Sequence, residues 1–276
     1  MVKKKKEEEF LLPGDILHGL LGNDFETKAE DFMRTVTAEG ELSLNAKVHD
    51  KLYHFLRFVP DKSNIGVEIV VEEEKKHNSF VTCYPFFRGI KNKVSIVDIK
   101  ADSDRLAGFV KISMNEASPM WMFNPFYAHS ITEMKKLVAK GKVELSISGL
   151  ALHLEKTPKT VFKIDKGGMY EVALKEFLEK HPDKTKKDFP YVEVDASHAS
   201  GLMPSDCLDG YEFSSDIYKV EKLRFMDMDF YCLEIEVLRD GDIGMKLNLY
   251  ANSEMLNGYK PKVGDNVHGY MQLNAY

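Results

Sequence analysis

Nine histidines and three cysteines are the residues best able to bind a metal in this chain of 276 residues. Zinc ligands come as close pairs that let one turn or hairpin aim two donors at one ion. His198 with Cys207, and His77 a few residues before Cys83, are the nearest approaches to such a pair. Each reads more simply as a loop histidine and a buried strand cysteine, since free cysteine is among the most buried residue types. Asp227 and Asp229 flank Met228, and Asp240 and Asp242 flank Gly241. Either pair could supply acid and base, but Asp and Gly at hairpin ends serve turn chemistry. No Gly-x-Ser-x-Gly elbow is present, and Ser148-Gly149 falls within a strand pattern. Without a Gly-x-Gly-x-x-Gly or Walker loop, a nucleotide-dependent enzyme is disfavoured and no cofactor is expected.

The residues that could bind rather than react cluster in Met120-Trp121-Met122-Phe123-Asn124-Pro125-Phe126-Tyr127, which holds the single Trp. Aromatic rings and polarisable Met are enriched at interface cores. Trp121, Met122, Phe123, Phe126 and Tyr127 are therefore the candidate binding residues, although core packing accounts for them more simply.

The elements that must position these residues are read from periodicity. Tyr127-Ala128-His129-Ser130 and Gly141 recur 123 residues later as Tyr250-Ala251-Asn252-Ser253 and Gly264. The alternating run Val110, Ile112, Met114 falls over Leu233, Ile235, Val237, and after one inserted residue Val143, Ile147 and Ala151 fall over Val267, Met271 and Ala275. A duplicated β unit is expected. Thr27-Lys28-Ala29-Glu30 has the form of a capping box ahead of Phe32 and Val36, which predicts a short helix through about Val36. Leu11 to Leu17 reads as a second short helix or a packed loop, and residues 42–59 fit both a period of two and part of a helical stripe, with a strand favoured from Tyr53 onward. Strands are expected over Val67–Val71, Phe80–Tyr84, Val94–Ile99, Phe109–Met114, Met120–Phe123 and Val143–Leu154. Tyr170, Ala173, Leu174, Phe177, Leu178 and His181 mark an amphipathic helix bounded by Gly167-Gly168 and Pro182. Four more strands follow, with a hairpin turning across Asp227-Met228-Asp229.

Composition limits the partners. Apolar residues make up 43%, charged residues 30% and aromatic residues 11%, as in a folded β-rich protein, and the net charge is −6. An acidic chain has no broad attraction to phosphate backbones or anionic lipids, so nucleic acid is a disfavoured partner. Acidic residues at Glu7-Glu8-Glu9 interrupt any signal-like pattern after Lys3–Lys6, and no apolar run is long enough to span a membrane. Scattered cysteines suit a reducing compartment, and a cytoplasmic location is expected.

At the C-terminus Gly258-Tyr259-Lys260-Pro261-Lys262-Val263-Gly264-Asp265-Asn266-Val267-His268-Gly269 resembles the segment Gly-x-x-Pro-x-x-Gly-Asp-x-Val-x-Gly of a family of uncharacterised bacterial proteins with OB-like β-barrel domains. In that family a Trp commonly follows the last Gly, where this chain has Tyr270. The resemblance implies OB-like barrels and brings no catalytic residue. The expectation is therefore a mainly β (α+β) protein. It comprises a mixed N-terminal segment (1–60), a first OB-like β domain (61–156), a linker with an amphipathic helix (157–200) and a second OB-like β domain (201–276). Its expected function is that of a non-enzymatic binding module for a protein partner. A hydrolase using loop carboxylates or His198, and single-strand nucleic-acid binding in an OB-like groove, are the alternatives.

Overall fold

Helix α1 (Pro13–Leu21) opens on a proline, whose missing N–H costs nothing at the first helical position. It buries Ile16, Leu20 and Leu21, and α2 (Phe25–Glu39) buries Phe32 and Val36 one turn apart. The start of α2 differs from the capping-box expectation. Asp24 is the N-cap without a side-chain cap, and Thr27 lies inside the first turn, its hydroxyl donating back to the Asp24 carbonyl at 3.1 Å. The computed structural model describes residues 13–48, 50–60, 64–75, 77–101, 106–114, 119–124, 138, 141–240 and 243–275.

Strands β1 (Glu41–Val48), β2 (Lys51–Phe58), β3 (Ile65–Glu73) and β4 (Asn78–Phe87) form an antiparallel sheet in sequence order. Residues 41–48 are therefore a strand that the sequence reading missed. They pair with β2 across a turn in which Asp50 takes φ +65°, a conformation Asp tolerates. Every residue of β3 from Ile65 to Val71 is buried, because the sheet is covered on both faces. Val67, Ile69 and Val71 join Phe32 and Val36 of α2 in one cluster, whereas Phe55, Val70 and Tyr84 pack with Phe109 on the opposite face.

The remaining strands are β5 (Ile90–Ala101), β6 (Gly108–Ser113), β7 (Pro119–Asn124), β8 (Lys142–Lys156), β9 (Val161–Ile164), β10 (Val192–Asp195), β11 (Gly201–Pro204), β12 (Gly210–Phe225), β13 (Met228–Asp240), β14 (Ile243–Asn252) and β15 (Asn266–Ala275). The chain is thus mainly β, as expected, with three α-helices among the described residues. Nine of these strands share one sheet, ordered β11-β12-β13-β14-β8-β15-β7-β6-β5, with β12 also pairing β15 and β8 also pairing β5. The pairings close two circuits of five strands. One runs β12, β13, β14, β8, β15 and the other β5, β6, β7, β15, β8, so β8 and β15 belong to both. Their antiparallel ladder sets Gly149 opposite Leu273, with Ile147 opposite Ala275 and Ala151 opposite Met271 on either side.

The circuits enclose a continuous core in which Val94, Ile112, Met122 and Ile147 pack with Ile217, Ile235, Leu247 and Met271. Residues 61–156 and 201–276, expected as two domains, therefore contribute to one compact unit, Met1–Lys156 with Ser200–Tyr276. The reason lies in the pairing. β7, the last strand of the meander β5-β6-β7, pairs with β15, and β14, the last strand of β12-β13-β14, pairs with β8, so each meander is closed by a strand from the other half of the chain. The hairpin between β12 and β13 turns at Met226 (φ +54°) and Asp227, slightly ahead of the expected reversal, so Met228 and Asp229 already lie in β13.

Thr157–Ala199 forms a second unit, containing β9 paired with β10 and the expected helix, here α3 (Gly168–Lys180), between Gly167 and Pro182. Its core is thin. Tyr170 is buried, stacks on Phe189 at 6.0 Å between ring centroids and donates its hydroxyl to the Phe189 carbonyl at 2.8 Å. Phe177 stacks on the same Phe189 ring, at 4.7 Å.

Candidate binding groove

The apolar stripe of α2 is wider than the face it buries. Phe32 and Val36 enter the core, while Ala29 and Met33, one position round the helix, are only partly covered. The β3–β4 register sets Val71 opposite Phe80, and the β2–β3 register sets Leu56 opposite Ile69. Leu56, Val71 and Phe80 thereby continue the helix-facing side of the sheet beyond what α2 covers. The result is an open groove of about 870 Å³, lined by Leu17 from α1, by Ala29, Met33, Thr37 and Ala38 from α2, and by Leu56, Val71, Asn78 and Phe80 from the sheet.

Phe80 is 55% exposed, and β4 is the last strand of its sheet among the described residues. A large ring at an uncovered sheet edge is costly to leave in water. The polar rim of the groove is Glu26, Glu30 and Arg34. Arg34 is already engaged, at 3.0 Å to Glu30 and 3.3 Å to Asp31, and Glu26 makes no ion pair among the described residues. The floor and walls of the groove are mainly apolar, which suits them to apolar surface.

A second cleft, of about 500 Å³, lies on the row where Met203, Glu212, Tyr270 and His153 face one another across β11, β12, β15 and β8. The Tyr270 hydroxyl sits 3.0 Å from Ser205 Oγ, and burial raises its pKa above the ordinary phenol value. His153 reaches Glu155 at 3.4 Å, and Ser214, opposite His268 in the β12–β15 ladder, donates to Asn266 at 3.1 Å.

Of the sequence-predicted binding residues, Met122 is fully buried in the shared core beside Met120. Trp121 and Phe123 belong to β7, and Phe126 and Tyr127 lie outside the described residues. The metal candidates do not assemble into a ligand set, and no group of three or more His, Cys, Asp or Glu among the described residues is arranged to hold an ion. His77 pairs with Glu74 at 3.3 Å, and burial pushes the Cys83 thiol up to about 12, which leaves it a poor ligand and nucleophile. His198 follows β10 in the smaller unit, and Cys207 lies in the larger. Asp227 is fully exposed and pairs with Arg224 at 3.4 Å, while Asp242 lies outside the described residues.

Sequence reasoning missed the groove because Phe80, Met33 and Leu17 are far apart along the chain and each looks like an ordinary core residue. The only local signal was Met33 beside Phe32, which makes the α2 stripe too wide for one contact. Comparisons with protein-family models, with curated proteins and with solved structures give no match.

Proposed function

We propose that this chain is a non-enzymatic interaction module that binds a segment of a protein partner in the groove beside α2. The observation that carries the reading is the exposed Phe80 at the end of an apolar floor, next to a helix flank of small and flexible side chains. The groove is favoured over the Met120–Tyr127 group because Met122 spends its side chain on the core. The test compares polypeptides retained by the wild-type chain with those retained by Phe80→Asp, Met33→Asp and Trp121→Ala at equal stability. Loss with the first two alone supports the groove; loss with Trp121→Ala alone assigns binding to the β7 region and removes this reading.

We also read residues 90–156 and 210–275 as two copies of one four-strand unit with OB-like five-strand circuits that exchange their last strands. Supporting this are the mirrored pairing order and bulges at Val97 and Tyr218, the exposed residues skipped by the ladders at Ile96/Asp98 and Ile217/Lys219. In this reading the ladders equate Phe123, paired with Phe109, to Tyr250, paired with Cys232. A cytoplasmic location is supported by Cys83, Cys207 and Cys232, none of which forms a disulfide.

A further inference from the structure

We infer that the occupant of the groove is an amphipathic α-helix with an apolar face and a lysine- or arginine-bearing flank, lying alongside α2; this rests on the groove being the docking surface. The shape argues for a helix. The floor is a sheet face, Leu56, Val71 and Phe80, and one wall is the flank of a fifteen-residue helix, while the described lining residues form no opposite wall. A second helix laid beside α2 on the same sheet would complete the layer. Ala29, Thr37 and Ala38 keep that flank low, so another helix axis can come close. An occupant at i, i+3, i+4 and i+7 would set its apolar side chains against Met33, Leu17 and Phe80.

The charge on the rim selects the partner's flank. Glu26 and Glu30 face the groove, and the only cation among the described lining residues, Arg34, is held by Glu30 and Asp31. Lys28, the other nearby cation of α2, is bound at 3.0 Å to Glu254 and donates to the Leu21 carbonyl at 3.1 Å. The rim is therefore left with acidic excess, which an anionic helix would meet with like charge and a basic helix with opposite charge.

The experiment uses the full chain and two fluorescein-labelled model helices of about 14 residues, about four turns each. One carries a leucine face with lysine elsewhere, the other a leucine face with glutamate elsewhere, and fluorescence anisotropy gives the two affinities. The expected result is tighter binding of the leucine–lysine helix. Phe80→Ala should weaken it about tenfold through loss of an aromatic anchor. Glu26→Gln with Glu30→Gln should weaken it about two- to fivefold per carboxylate without abolishing it. Glu221→Gln with Glu234→Gln, remote from the groove, should leave it unchanged. Phe80 is more than half exposed, so its truncation leaves the fold intact, which circular dichroism verifies.

Equal affinity for the two helices, both sensitive to Phe80→Ala, would overturn the basic-helix assignment and leave the groove standing. Binding of the leucine–lysine helix that ignores Phe80→Ala and Ala29→Trp would overturn both. If neither helix binds but a fatty acid does, and Phe80→Ala abolishes that, the occupant is a small apolar molecule and both readings fall.

Discussion

Glu68 is 1% exposed, and its Oε2 accepts from Ser43 Oγ, Arg57 Nε and Arg57 Nη2, each at 3.0 Å. Arg57 also lies 5.0 Å from the Phe86 ring, while Glu68 Oε1 has no hydrogen-bond partner. A buried carboxylate held by one cation is costly once that cation is removed. Arg57→Met should therefore destabilise the protein by about 3 kcal/mol, and adding Glu68→Leu should restore most of the loss in urea unfolding followed by circular dichroism. The thiols give a pH dependence. Desolvation pushes Cys83 up to about 12 and Cys232 to about 11, and burial raises the Tyr250 phenol as well. In the folded state these groups keep their protons to higher pH than in the unfolded chain. Their contribution is full below about pH 9 and is lost as pH rises through 9 to 12, by about 1.4 kcal/mol per pH unit for each thiol in its window. Urea midpoints measured from pH 7 to 11 should fall above pH 9, and Cys83→Ala with Cys232→Ala should flatten that fall.

At the level of elements, β15 is held where it can serve both circuits. At its N-terminal end the Gly-Asp turn is pinned by Asp265, which binds Lys156 at 2.6 Å and accepts from the Tyr259 hydroxyl at 2.9 Å and the Lys262 amide at 3.2 Å. The turn and closing strand were readable from Pro261, Gly264 and Asp265, because those residue types restrict the backbone locally. The partner Lys156 was not, since it belongs to β8, more than a hundred positions earlier. At Gly269 the two strands approach closely. A Cβ there would overlap the His153 carbonyl, which is backbone and cannot step aside. Gly269→Ala should thus destabilise by about 1–3 kcal/mol, measured by thermal or urea unfolding. A shift within about 0.5 kcal/mol would mean that the two strands are not this close.

For the whole molecule, the crossed closure of the circuits predicts that neither half can bury its core alone. Residues 1–156 and 200–276, expressed separately, should be largely unfolded or aggregated, and should form a soluble complex when produced together, as size-exclusion chromatography would show. If either half alone unfolded cooperatively, the shared core would be refuted. The Thr157–Ala199 unit buries only Tyr170 below a tenth of its surface. A unit so small with so thin a core is marginal, so limited trypsin digestion should cut there first while the larger unit persists.

What the amino-acid sequence determined by itself was local: the strand-rich composition, the position of α3 between Gly167 and Pro182, the strands from Val67 to Val71 and from Val267 to Ala275, and the Gly264-Asp265 turn. Each follows from side-chain periodicity or from backbone restriction within a few residues. Tertiary structure alone decided that β8 and β15 lie side by side, that Met122 is spent on the core, and that Phe80 ends at an open edge beside α2. Pairing between strands is chosen by which apolar faces and free edges meet in space, and in this chain the partners are too far apart for any local pattern to name them.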